Sequence, residues 1–272
     1  MAHTLFLTIL LFFVGTTVSG QRCNCNYISH PQTRFCQAHF AFRGSILNAE
    51  KAALPGERDR GYLYNQNLRY NVSVYEIFKG EMTYMTEHVV SLFTPTGGIC
   101  GKPGLLQSQK EDNSENDFLF TGDIAVTSQG YKYLVITNCN WVARWEDLTK
   151  EQQEGLNGFY SDCGCEIYPR SEALDLGDTD ADNFQVEDCG FNPISASILK
   201  VTDCETNFGH CMEVDDQVCS WVLSPTFEEC FASRKSRLLL GAAAVTTRKD
   251  CNIYTGKQRK KCLLKVMKAN RL

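Results

Sequence analysis

The stretch "QRCNCNYISHPQTRFC", Gln21 to Cys36, decides how the rest of the chain is read. Three cysteines fall between Cys23 and Cys36, and only Asn24 separates the first two. Ahead of it runs an unbroken apolar segment, "LFLTILLFFVG" (Leu5 to Gly15), followed by small and polar residues ending at Gly20. That segment is too short to span a bilayer, and no later one is apolar enough to do so. It reads as an export signal over residues 1–20, or 1–22 if the cut falls later. Small residues ahead of the cut favour cleavage between Gly20 and Gln21. All 14 cysteines lie beyond the signal. In an oxidising compartment an even number reads as a disulfide framework, and the irregular spacings argue against thiolate zinc sites.

At 272 residues the chain has room for one large domain or two modest ones. It is 43% apolar with a formal charge of -5, which excludes wholesale disorder and argues against nucleic-acid binding. Between Cys36 and Cys139 only Cys100 appears, so this region must build a hydrophobic core. Five segments rich in aromatic and β-branched residues read as strands: His39–Leu47, Leu68–Phe78, Glu87–Pro95, Asp117–Val126 and Tyr131–Thr137. Five strands with few helices predict a small closed barrel. Thr149 followed by Gln152 is a capping box opening a helix of two or three turns, weakened by Gly155.

From Cys165 to Leu272 there are eight cysteines, a density that predicts a smaller, loop-rich unit stapled by bridges. It begins acidic (Glu172 to Asp188, without Lys or Arg) and ends basic, with nine basic residues against one Asp from Thr247 onward.

"CNCNYISHPQTRFC" resembles the N-terminus of the tissue inhibitors of metalloproteinases, in which Cys-x-Cys precedes His-Pro-Gln and Phe-Cys. The similarity continues through "YEIFKG" (Tyr75 to Gly80), "FTPTGGICG" (Phe93 to Gly101) and "YLVITNCNWVARWEDLT" (Tyr133 to Thr149), to "CGC" at Cys163–Cys165. The resemblance implies a mainly β fold: a five-stranded oligonucleotide-binding-type (OB-fold) barrel with a flanking helix over residues 23–163, then a disulfide-rich subdomain over 165–272. It also implies the pairings Cys23–Cys100, Cys25–Cys139 and Cys36–Cys163. The function it implies is inhibition of matrix metalloproteinases and related zinc endopeptidases, without enzymatic activity.

In that scheme the α-amine and carbonyl of Cys23 chelate the zinc of the target, and the protein has no cofactor of its own. Cys23, Asn24, Cys25, Asn26, Gly98, Ile99 and Cys100 would form the inhibitory ridge, with Asn24 entering the target's primary specificity pocket. The chain departs from the family pattern in three places. Gln21 and Arg22 intervene before Cys23 if cleavage follows Gly20, and would then bury the amine of Cys23 in a peptide bond. Four residues rather than three separate Cys25 from His30, and the C-terminal part has eight cysteines where six are usual. An alternative is a netrin-like module with an internal Cys-x-Cys, used for matrix or protein contact.

Other motifs have simpler readings. "DTDADNFQVEDC" (Asp178 to Cys189) lacks the glycine and glutamate of a calcium loop and reads as a solvated acidic loop. The basic C-terminus is a candidate for heparan sulfate or other matrix polyanions. Asn71-Val72-Ser73 is an N-glycosylation sequon on a predicted strand. No His-Glu-x-x-His, Gly-x-Ser-x-Gly or phosphate loop is present, and His30 reads as a support for the turn at Pro31. These observations together predict a protein of the extracellular space or matrix, with no membrane span.

Overall fold

A computed structural model describes residues 25, 29–61, 66–80, 88–97, 100–106, 117–169, 189–192, 200–215, 218–244, 256–257 and 259–261, with backbone alone over 235–244. Six strands make the main sheet: β1 (Phe40–Ala52), β2 (Asn67–Lys79), β3 (Val89–Pro95), β4 (Asp117–Val126), β5 (Lys132–Val135) and β6 (Val142–Arg144). The order is β1-β2-β3-β5-β4-β6, and β1 also pairs with β4, so the first five strands close into a ring. Within this sheet, among the described residues, only β3 and β5 pair in parallel. β5 and β6 pair with successive parts of β4, at 123–126 and 118–120. The five predicted strands are the five of the ring. β6, only three residues long, carries too little pattern to be seen in sequence.

Alternation along the strands sends one set of side chains into the ring. Phe42, Ile46, Tyr70, Val72, Val90, Leu92, Phe118, Phe120, Leu134 and Ile136 fill its interior. The outer surface of β1 and β4 is covered by a second core of Phe35, Ala41, Leu119, Trp141, Leu148, Leu156 and Tyr160. Two short helices supply that cover, α1 (Pro31–Gln37) and α2 (Lys150–Leu156).

The predicted capping box of α2 is present: the Thr149 side chain accepts from Gln152 N–H, and the Gln152 side chain accepts from Thr149 N–H. Gly155 has a packing reason, since a Cβ there would collide with the ring of Tyr160. Helix α1 was not foreseen. Its signals are local, with His30 as N-cap and Pro31 in the first turn, where the missing N–H costs nothing.

The C-terminal part holds β7 (Tyr168–Pro169) paired with β8 (Gly190–Phe191), α3 (Cys204–Phe208), the hairpin β9 (Cys211–Asp215) and β10 (Val218–Trp221), and α4 (Pro225–Ala244). A third core gathers Ile167, Phe191, Trp221 and Phe227 with Cys189, Cys204 and Cys211. The disulfide-stapled unit expected here is present, and within it the structure adds the 20-residue α4, which the sequence reading did not anticipate. It starts at Ser224-Pro225, with the Ser224 hydroxyl accepting from Phe227 N–H. Among the described residues no helix is long and apolar enough to cross a membrane.

Candidate functional site

Of the predicted ridge, the described residues include Cys25 and Cys100; Cys23, Asn24, Asn26, Gly98 and Ile99 lie outside them. Cys25 is bonded to Cys139, with their Cα atoms 5.0 Å apart. Cys100 is buried and disulfide-bonded. Every other described cysteine pairs with a described one, so the partner of Cys100 lies outside the described residues. Cys36 is bonded to Cys163, which fastens α1 to the segment beyond α2.

Two turns carry these anchors, and the parallel pairing of β3 with β5 brings them out together. One turn follows β5. Thr137 N–H and its hydroxyl both donate to Asn140 Oδ1, at 2.7 and 2.9 Å, and the same hydroxyl accepts from Cys139 N–H at 3.2 Å. Asn140 Nδ2 reaches Asp123 on β4 at 3.0 Å, and the other Asp123 oxygen meets His39 Nδ1 at 2.9 Å.

The other turn follows β3. Lys102 N–H donates to the buried Thr94 hydroxyl at 2.8 Å, and Lys102 C=O accepts from Tyr70 OH at 2.8 Å. Gly101 lies so close to β3 that a Cβ would overlap the Pro95 carbonyl. Burial, with Arg34 adding repulsion, holds the Lys102 ammonium below its usual pKa. The two turns are joined directly, since Asn138 N–H donates to Cys100 C=O at 2.9 Å. Main chain bearing Cys25, Cys139 and Cys100 is thus one braced patch at one end of the sheet.

Tyr70, Thr94, Asp123, Thr137 and Asn140 were not singled out in the sequence. The Thr137-x-x-Asn140 spacing, a local side-chain-to-backbone motif, was the available signal.

The His-Pro-Gln segment acts elsewhere. His30 is fully buried. Its Nδ1 accepts from Gln32 N–H at 3.2 Å and its Nε2 lies 2.8 Å from Glu205 C=O. That arrangement requires the neutral tautomer protonated at Nε2, and burial lowers the pKa to about 4. Gln32, also buried, donates to the carbonyls of Asp162 and Cys211 and accepts from Cys211 N–H at 2.8 Å. The turn-supporting role expected of His30 is present, but both residues also reach into the C-terminal part.

There, Cys165–Cys219, Cys189–Cys211 and Cys204–Cys230 are bonded. The sulfurs of Cys165, Cys211 and Cys219 lie within 4.8 Å of one another. Because all three are in disulfides, they offer no thiolate to a metal. A cavity of about 410 Å³ between α1 and the 163–169 segment includes Gln32, Glu166 and Tyr168 among its lining and neither of the described ridge residues, Cys25 and Cys100. The acidic loop lies outside the described residues apart from Cys189. The basic C-terminus does too, except for a helical turn with exposed Lys257, Arg259, Lys260 and Lys261. The sequon residue Asn71 lies on β2.

A family model described as tissue inhibitor of metalloproteinase matches residues 21–221. The chain is 31% identical over 150 residues to metalloproteinase inhibitor 4 of Mus musculus, covering 54% of this chain and 60% of that protein. Metalloproteinase inhibitor 4 of Rattus norvegicus is 30% identical over the same length and is likewise matched over 60% of its length. Metalloproteinase inhibitor 3 of Gallus gallus is 26% identical over 217 residues, 74% of this chain and 82% of that one. With a ring-closed sheet, cysteine-bearing turns braced at one end and a family match across most of its length, this chain belongs to the tissue inhibitor of metalloproteinase family.

Proposed function

We propose that this protein inhibits zinc metalloproteinases by presenting its own N-terminus to the catalytic zinc of the target. Such a zinc keeps one coordination position open for water. With Cys23 as first residue, its α-amino nitrogen and carbonyl oxygen reach that position, close a five-membered chelate and displace the attacking water. Asn24 then enters the neighbouring specificity pocket. The zinc belongs to the target, and the inhibitor supplies main-chain donors only.

The observation that carries this reading is the braced patch. Cys25 is held to Cys139, and the Cys139 turn is hydrogen-bonded to Cys100. Pairing of Cys100 with Cys23, the pairing we favour, clamps the first and third residues of the mature chain. A terminus ordered in advance loses little further freedom on binding, so more of the contact energy appears as affinity. A netrin-like module shares the ring, but the family match here runs on to Trp221, through β10 of the C-terminal part, which supports the inhibitor.

The reading requires export and removal of residues up to Arg22. N-terminal sequencing of the secreted protein is expected to begin at Cys23. A variant carrying one alanine ahead of Cys23 is expected to lose inhibition by orders of magnitude with its thermal stability unchanged. Undiminished inhibition by that variant overturns the mechanism.

A further inference from the structure

We propose that Asn71 carries an N-linked oligosaccharide whose first sugars lie over Leu47 and Tyr75 on the outer face of β1 and β2. The inference rests on the export reading of the leader and is independent of zinc chelation.

Strand parity is the first support. Tyr70 and Val72 point into the ring and are wholly buried, so Asn71 between them faces out. A sugar attached at either neighbouring position would have no room in the folded protein. The surroundings of Asn71 are the second. Across the pairing it faces Asn48 on β1 and Ser91 on β3, and Ser73 faces Ser45. These are small side chains that leave the face shallow.

The amide itself is the third. Asn71 Oδ1 accepts from the Ser91 hydroxyl at 3.0 Å, and Nδ2 donates to Asn48 Oδ1 at 2.8 Å. The nitrogen has two hydrogens and Asn48 takes one. Replacing the other with a sugar keeps the cross-strand bond.

Two large side chains flank this shallow face. The pairing of β1 with β2 shifts register between Ile46 and Asn48, and Leu47 at that shift is 57% exposed. A second shift, between Arg43 and Gly44, falls opposite Tyr75, which is 55% exposed. Tyr75 is four residues along the strand from Asn71, about 13 Å. Exposed apolar side chains beside a sequon are suited to the C–H faces of pyranose rings, and a bulky polar chain over them keeps the surface soluble.

The modification itself is a transfer from a lipid-linked oligosaccharyl pyrophosphate. A bond forms between Asn71 Nδ2 and sugar C1, the C1–oxygen bond to the pyrophosphate breaks, the amide loses one proton and the lipid pyrophosphate leaves.

The test uses the full chain expressed in secreting animal cells. Peptide mapping is expected to find Asn71 glycosylated, and converted to aspartate by peptide:N-glycosidase. Ser73→Ala is expected to yield a secreted chain without that glycan. Hydroxyl-radical labelling of Tyr75 is expected to rise several-fold once the glycan is removed, with Tyr168 in the C-terminal part unchanged. A secreted chain with bare Asn71 overturns the proposal alone, and retention in the cytosol overturns the export reading with it. A glycosylated chain whose Tyr75 labels equally before and after removal overturns the placement of the sugars.

Discussion

Asn140 makes the Cys139 turn out of three hydrogen bonds, two to Thr137 and one to Asp123. Its side chain is buried, so truncation leaves the Thr137 N–H and hydroxyl without their acceptor in a place water reaches poorly. Asn140→Ala is expected to cost about 1–3 kcal/mol, read as a lowered midpoint in denaturant. On the proposed mechanism it also weakens inhibition several-fold, because Cys139 anchors Cys25. A variant with unchanged midpoint and potency would show that the disulfides alone hold the patch. Thr94 and Tyr70 play the matching part for the Cys100 turn, each binding the main chain of Lys102 from a buried position.

Helix α1 has only seven residues, too few to persist by itself. It is held from both ends and from one side. His30 caps its start, the Lys79 ammonium donates to the carbonyls of Phe35 and Cys36 at its end, and Cys36–Cys163 ties it down. The cap also gives the element a pH dependence. Folded His30 has its pKa lowered from 6.5 to about 4, so the unfolded chain binds a proton at a pH where the folded one does not. Stability contributed by neutral His30 is therefore complete above about pH 6.5 and is lost progressively as pH falls to about 4. The total is on the order of 3 kcal/mol. Burial of His210 acts in the same direction, while the raised Asp203 acts oppositely at lower pH. Comparing urea midpoints of the native chain and His30→Asn across pH 4–7 isolates the His30 share. The native chain is expected to have the steeper slope, and parallel slopes would refute it.

At the scale of the whole molecule, the described contacts between the two parts include polar ones, buried at His30 and Gln32 and part-buried at Thr149 and Gln152, together with ring contacts. His30 and Gln32 bind Glu205 and Cys211, Gln152 Nε2 donates to Thr206 C=O, the Thr149 hydroxyl donates to Asn207 C=O, and Phe159 stacks on His210. Helices α3 and α4 are locked behind this seam by a two-pronged Arg234–Glu205 pair, at 2.6 and 2.7 Å and almost wholly buried. Removing one partner of such a pair strands the other charge, at a cost of roughly 3–5 kcal/mol. Glu205→Gln is expected to lower the calorimetric transition of the full chain as a single peak, because Glu205 also supplies the carbonyl that His30 binds. Two separated peaks, only one of them shifted, would show that the parts unfold independently.

The ring was legible in the sequence because its five strands are runs rich in aromatic and β-branched residues, separated by turn-forming Gly, Pro and Asn. The α2 cap was legible for the same kind of reason, since Thr149 and Gln152 satisfy each other locally. What the cysteines of the C-terminal part pair with was not legible, because eight cysteines permit 105 arrangements and only the packing of Ile167, Phe191, Trp221 and Phe227 brings particular sulfurs together. The second task of His30 and Gln32 was hidden as well. Their partners lie more than 170 residues away, and no local pattern records a contact that exists only after two parts of the chain have docked. Side-chain period and capping chemistry, being short-ranged, are properties of the amino-acid order itself. The long links of the brace, from Tyr70 to Lys102, Asp123 to Asn140 and Cys100 to Asn138, and the seam between the two parts are products of tertiary structure, because each depends on polar groups finding partners distant along the chain.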